Sequence, residues 1–185
     1  MAAKQVAVLL TAGFEEIEAV AVVDVLRRGG IDVLLTAVGT SAPFVTGSHG
    51  IAIQTDTALA NLAVAALDAV ILPGGMPGSV NLAQNPDVLA LLRTARARGV
   101  WVAAICAAPL ALHAAGLLSG RRVTGHPSIR EKLTGTVFTG ERVERDDKLL
   151  TSAAAGTAVE FGLALLECLG CAESAAALKN SMLVA

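Results

Sequence analysis

The sequence predicts one doubly wound α/β domain, a mainly parallel sheet with helices on both faces. Three observations predict it. Short, continuously apolar runs alternate with longer helical ones along the chain, the pattern of strands buried on both faces and joined by crossover helices. At 185 residues, 54% apolar and 16% charged, the chain can bury one full core and is too apolar for disorder. No linker, repeat or low-complexity segment divides it, so a single domain is expected over residues 1–185.

The elements follow in order. KQVAVLL (4–10) reads as a buried strand and EEIEAVAVVDVLRRGG (15–30) as a helix ended by glycines. IDVLLTAV (31–38) is the next strand, and PFVTGSHGIAIQTD (43–56) a hairpin around Gly47–Gly50. LDAVILPGG (67–75) is a strand stopped by a Pro-Gly-Gly turn. Residues 86–99 form a helix with Pro86 in its first turn. VWVAAI (100–105) is a strand that runs straight into a helix at 107–116. A short strand (121–125) and a short helix (128–133) come next, then two edge strands within 142–152 around Asp146–Asp147. The last helix spans 157–170, with Thr157 and Glu160 spaced as a capping box.

Composition excludes several function classes. The net charge of −2, the 3% aromatic content and the lack of basic runs give nucleic acid nothing to bind. The most apolar stretch, residues 100–118, contains Pro109 and His113 and lacks aromatic belts, so a strand and helix explain it better than a membrane span. The N-terminus meets acidic residues at once and lacks the shape of a signal peptide, so a cytoplasmic location is expected. Three cysteines with no framework spacing read as reduced thiols.

In doubly wound sheets, ligands bind beyond the carboxyl ends of the strands. Four such ends carry chemistry: TAGFEEIE, PGGMPGS, Cys106 and GHP. Cys106 sits between a strand and a helix with Ala104, Ala107 and Ala108 around it, as a nucleophile elbow requires. A helix N-terminus there would favour thiolate; a buried structural cysteine is the competing reading. Gly74 and Gly75 leave backbone amides free to form an oxyanion hole, although the turn lacks phosphate-loop spacing. Glu15, Glu16 and Glu18 open the first helix, where acids suit the dipole. Glu18 shares a stripe with Phe14, Ala21, Val22 and Val25, and a carboxyl in such company holds its proton near neutral pH. Glu15 stays open as an alternative, because that helix is apolar on nearly every side. His126, in a loop between Gly125 and Pro127, suits a general base or substrate contact. His113 reads as a core histidine, and His49 as a surface residue or a subunit contact. Cys168 and Cys171 close a helix without further ligands nearby, so they are expected to be structural rather than a zinc or redox site.

Taken together, GFEEIE, LPGG, AAICAAP, VTGHP and TSAAAGTAVEFGLALLE resemble the ThiJ/PfpI superfamily, in the branch of the parkinsonism-associated protein deglycase. The resemblance covers nearly the whole chain in order. It implies a flavodoxin-like α/β/α sandwich, a homodimer, and no metal or organic cofactor. It makes Cys106 the nucleophile, Glu18 its protonated partner and His126 the nearby histidine, with Gly75 and Ala107 amides around the thiolate. Two departures stand out. Ala107 replaces the histidine of the protease-like branch, which argues against peptidase activity. Ala154 and Ala155 stand where Gly and Pro are typical, so the loop beside the site is expected to differ. With only LKNSMLVA at 178–185, an added C-terminal helix is expected to be short or absent.

Three functions compete on this one site. The first is glutathione-independent conversion of a small aldehyde such as methylglyoxal, or removal of early glycation adducts, through a Cys106 hemithioacetal. The second is a redox sensor or stress chaperone with an oxidisable Cys106. The third is another small-molecule hydrolase or hydratase on the same elbow.

Overall fold

The computed structural model describes residues 4–184. Its centre is a seven-stranded sheet. In chain order the strands are β1 (Gln5–Leu10), β2 (Asp32–Ala37), β5 (Thr57–Ala58), β6 (Ala69–Leu72), β7 (Trp101–Ile105), β10 (Val143–Asp146) and β11 (Leu149–Ser152). The spatial order is β10-β11-β7-β6-β1-β2-β5. All pairs are parallel except β10 with β11. The continuous apolar runs have a direct reason. Val6, Val8, Leu10, Ile71, Ala103 and Ile105 face one core, and Ala7, Leu9, Val70, Leu72, Val102 and Ala104 face a second. Alternate residues of each strand enter opposite cores, so every position must be apolar.

Helices α1 (Glu16–Arg28), α5 (Ala158–Cys168) and α6 (Ala172–Ser181) cover the first face; α2 (Gly78–Gln84), α3 (Pro86–Ala97) and α4 (Pro109–Ala114) cover the second. Gly162 lets α5 approach α1, since a Cβ there would lie 2.9 Å from Val25 Cβ. Outside the sheet, β3 (Phe44–Thr46) and β4 (Ala52–Gln54) form the expected hairpin. β8 (Arg122–Val123) pairs with β9 (Val137–Phe138) in a separate two-stranded ribbon. No helix among the described residues is long and apolar enough to cross a membrane.

Several expectations are corrected. β11 is not an edge strand; it lies between β10 and β7, and its four residues are all buried. The short helix expected at 128–133 is present as a 3₁₀ helix and begins one residue earlier, at Pro127–Lys132. α2 lacks a capping side chain and opens on Gly78, so neither propensity nor capping announces it. Thr157 precedes α5 but does not cap it: its hydroxyl bonds Ser152 Oγ at 2.6 Å and Ala154 O at 2.8 Å. Glu160 turns to Arg142 instead. The C-terminal helix is present, with the ten residues of α6 packed on the first core through Ala175 and Leu178.

Candidate active site

β1 lies between β2 and β6 although its chain successor is β2, so the chain reverses its direction of travel beside β1. Crevices form at such points. The turns after β1, β6 and β7 meet there. Glu15 N–H donates to Gly74 O at 2.9 Å, and Gly78 N–H donates to Gly13 O at 3.1 Å, lacing the first two turns together. Gly75 has φ +90°, and a Cβ on it would collide with the backbone of Gly13 to Glu15. Glycine is required there on both counts.

Cys106 directly follows β7 and has φ +61°. A left-handed conformation is costly for a residue other than glycine and persists only when its surroundings hold it. Two backbone bonds hold this one. Cys106 N–H donates to Ser152 O at 2.9 Å, and His126 N–H donates to Cys106 O at 2.8 Å. The turn therefore has the strain and the position of an elbow, with the half-buried thiol lifted at the sheet edge. Ser152 is the partner that sequence reasoning missed. Its carbonyl acts through the register of β11 with β7, and nothing in the side chain signals that role.

Glu18 comes from the first turn of α1. Glu15 is the N-cap there, its carboxylate accepting from Glu18 N–H at 2.7 Å. That settles which acid enters the site: Glu15 is spent on the helix end, and Glu18 is 1% exposed. Glu18 Oε2 accepts from Gly74 N–H at 2.7 Å. Its other oxygen, Oε1, is buried with no hydrogen-bond partner of ordinary geometry among the described residues. Gly74 wedges between the two key side chains, for a Cβ on it would lie 2.6 Å from Glu18 Oε2 and 2.7 Å from Cys106 Cβ.

Burial pushes the Glu18 carboxyl up to about 7, with the Cys106 thiol and Gly74 N–H opposing and the Glu15 charge adding to the rise. Burial, then the charge and hydrogen bonding of Glu18, push the Cys106 thiol up to about 12, against the Ala107 and Gly75 amides. The expected depression of the thiol by a helix N-terminus is therefore not met. α4 has only six residues, and burial of the thiol, with the facing carboxylate second, sets the direction of the shift. The thiol meets that repulsion only while Glu18 is ionised. When Glu18 holds the proton, the carboxyl becomes a donor toward sulfur, so the two groups share one proton.

The oxyanion-hole expectation is narrowed in the same way. Gly74 N–H is committed to Glu18 and cannot serve an oxyanion. The Gly75 and Ala107 amides remain, and both favour charge on the sulfur. His126 reaches the site through its backbone, and its half-buried ring is tied at Nδ1 to Ser128 Oγ at 2.8 Å. His113 is half-buried on α4, not a core residue. His49 is exposed and donates its N–H to Glu16 Oε1 at 2.7 Å, with Nδ1 2.8 Å from Oε2. Cys168 and Cys171 are free and packed at the rim of the first core. Glu15, Glu16 and His49 bring ligand atoms within 4.8 Å of one another, but the Glu16 oxygens are already engaged by His49 and Ser48.

Comparisons with known proteins identify the family of the chain. Residues 4–168 match the DJ-1/PfpI family. The chain is 40% identical over 167 residues to Protein DJ-1 homolog A of Arabidopsis thaliana, 89% of this chain but 42% of that protein's length. It is 39% identical over 157 residues to the Glutathione-independent glyoxalase DJR-1.2 of Caenorhabditis elegans, covering 84% of this chain and 82% of that one. The crystal structure of Drosophila melanogaster DJ-1beta superposes with a TM-score of 0.94 at 37% identity, covering 99% of both chains. The chain belongs to the DJ-1/PfpI family.

Proposed function

We propose that this protein is a cysteine-dependent, glutathione-independent glyoxalase/deglycase-type enzyme that acts on methylglyoxal or related 2-oxoaldehydes. The observation that carries the reading is the pair at the elbow: a thiol held at φ +61° beside a buried carboxyl raised to about 7. A group titrating there accepts and returns protons at neutral pH. The likeness to a worm protein named a glutathione-independent glyoxalase supports the substrate class.

In this reading, ionised Glu18 takes the thiol proton as sulfur adds to the aldehyde carbon, and the new oxygen takes up a proton to give a hemithioacetal. The hydrogen on that carbon is then removed while the neighbouring ketone oxygen is protonated, forming an enediol. Protonation of the second carbon, with loss of the hydroxyl proton on the first, gives a thioester of Cys106, and water then releases lactate and the thiol. The first carbon is oxidised and the second reduced, so no external oxidant is needed. The Gly75 and Ala107 amides stabilise charge beside the sulfur. Early glycation adducts of the same aldehydes are a second substrate class for the same thiol.

The test is lactate formation from methylglyoxal without glutathione. Cys106→Ser is expected to abolish it, and undiminished turnover by that variant would overturn the mechanism. One observation favours an accompanying redox role. Glu18 Oε1 is buried without a hydrogen-bond partner among the described residues, and a protonated carboxyl beside the thiol would stabilise an oxygen added to sulfur. Mild peroxide is then expected to add two oxygens to Cys106 and leave Cys168 and Cys171 reduced, as mass spectrometry reads.

The proposal includes a homodimer. Ile17, Val20 and Ile51 are 60%, 52% and 58% exposed, and with Val159 and Met182 they line one apolar groove. Such a contiguous apolar surface suits a subunit contact. Sedimentation at micromolar concentration is expected to give the dimer mass, and Val20→Glu the monomer mass.

A further inference from the structure

A cleft of about 660 Å³ lies at the carboxyl ends of β1 and β2, while Cys106 follows β7 on the other side of β1. Its walls come from the turns after β1 and β2, from β3, from α2 and from the start of α3. That volume falls within the roughly 300–1,000 Å³ of small-ligand sites, and doubly wound sheets hold ligands at this edge. None of the residues placed at the thiol lines it.

Among the described residues no charged side chain lines the cleft, but several uncharged polar ones do. Two of them are held in a defined orientation by the backbone. The Ala12 carbonyl can only accept, and Asn81 Nδ2 donates to it at 3.1 Å. The Asp87 and Val88 N–H groups can only donate, and Asn85 Oδ1 accepts from them at 2.9 and 3.2 Å. The ends left over are an acceptor, Asn81 Oδ1, and a donor, Asn85 Nδ2. Gln84 adds a whole amide with no hydrogen bond among the described residues. Thr11 is only 6% exposed, yet its hydroxyl has no partner among them either. Phe44, also in the lining, is 54% exposed.

We propose that this cleft binds a neutral, polyhydroxylated ligand of sugar size, at a site distinct from Cys106. A hydroxyl donates and accepts at once, so adjacent hydroxyls match a mixed set of fixed donors and acceptors. The lining offers no charge to offset that of a phosphate, carboxylate or ammonium group. A ligand hydroxyl that reaches Thr11 meets a group already removed from water, so the bond comes at little further desolvation. The Phe44 ring gives the C–H face of a sugar an apolar surface. No bond forms or breaks here, and the inference stands apart from the glyoxalase-type reading.

Amide NMR of the full chain titrated with D-glucose tests this without turnover. Saturable movement is expected in the Ala12, Gly39 and Thr40 backbone signals and in the Asn81, Gln84 and Asn85 side-chain signals, with Cys106 and Ala107 unmoved. Gln84→Ala and Phe44→Ala, both on the surface, are each expected to weaken binding about 10-fold, the scale of one lost polar or packed group. Thr11→Val removes the buried hydroxyl and is expected to weaken it as well. Cleft signals that move with neither D-glucose nor D-ribose would overturn the proposal, as would unchanged affinity in both surface variants or movement at Cys106 instead. Tighter binding of glucose 6-phosphate than of glucose would refute the neutral ligand. Tighter binding of adenosine than of D-ribose would give the cleft to a nucleobase and refute the sugar.

Discussion

Cys106 is the residue where the sequence is most legible. A thiol between an apolar strand and a helix, flanked by alanines, announces an elbow, and the observed φ of +61° is that elbow. Its acid partner is less legible. Three glutamates open α1, and helical periodicity leaves Glu15 and Glu18 both possible. The choice is made by Glu15 accepting the Glu18 amide, a capping event that periodicity does not encode. The shared proton has a kinetic consequence. The rate of Cys106 alkylation against pH is expected to show two inflections in the native protein and one in Glu18→Gln; two inflections in that variant would refute the coupling. Gly74 tests the wedge between the two side chains. Gly74→Ala places a Cβ 2.6 Å from Glu18 Oε2, which must move. Methylglyoxal turnover is expected to fall about 100-fold, the scale of a misplaced catalytic group, with far-ultraviolet circular dichroism unchanged.

The elements were legible wherever periodicity and burial agree, and missed wherever pairing decides. β1, β6 and β7 read as buried strands because alternate residues serve two cores. β11 read as an edge because its sequence is a hairpin arm. Only its pairing with β7 puts it inside the sheet, where its last carbonyl meets the Cys106 amide. Thr157 and Glu160 have capping-box spacing, yet Ser152 and Arg142 outcompete the helix end for their side chains. Those partners lie 5 and 18 residues away in sequence, beyond a local pattern. The α1–α5 contact carries its own prediction. Gly162→Ala puts a Cβ 2.9 Å from Val25 Cβ, and overpacking of this kind costs about 1–3 kcal/mol. The melting temperature is expected to fall by roughly 2–12 °C, and an unchanged melting curve would show that the helices adjust without strain.

At the scale of the whole molecule, the buried carboxyls set how stability depends on pH. Glu18 is raised from 4.5 to about 7, so the folded state holds its proton more tightly than the unfolded one. That contribution is full below pH 4.5 and is lost as pH rises through 7, on the order of 3 kcal/mol. Glu16 runs the other way. Burial raises it, but hydrogen bonds from the His49 side chain and backbone outweigh burial and hold it near about 2. Its contribution is full above pH 4.5 and is lost as pH falls through about 2. Denaturant midpoints are therefore expected to drop between pH 5 and 8 in the native protein and to stay level in Glu18→Gln. The sequence by itself determined the fold class and the elbow cysteine. Each rests on local chemistry: apolar runs, small residues around one thiol, and glycines at turns. Tertiary structure alone decided which glutamate faces the sulfur, that Gly74 serves Glu18 and not an oxyanion, and that the thiol is raised rather than lowered. Those outcomes depend on how three turns pack at one sheet edge and on how much water that packing removes. Desolvation and long-range partners belong to the assembled chain, and no stretch of residues carries them alone.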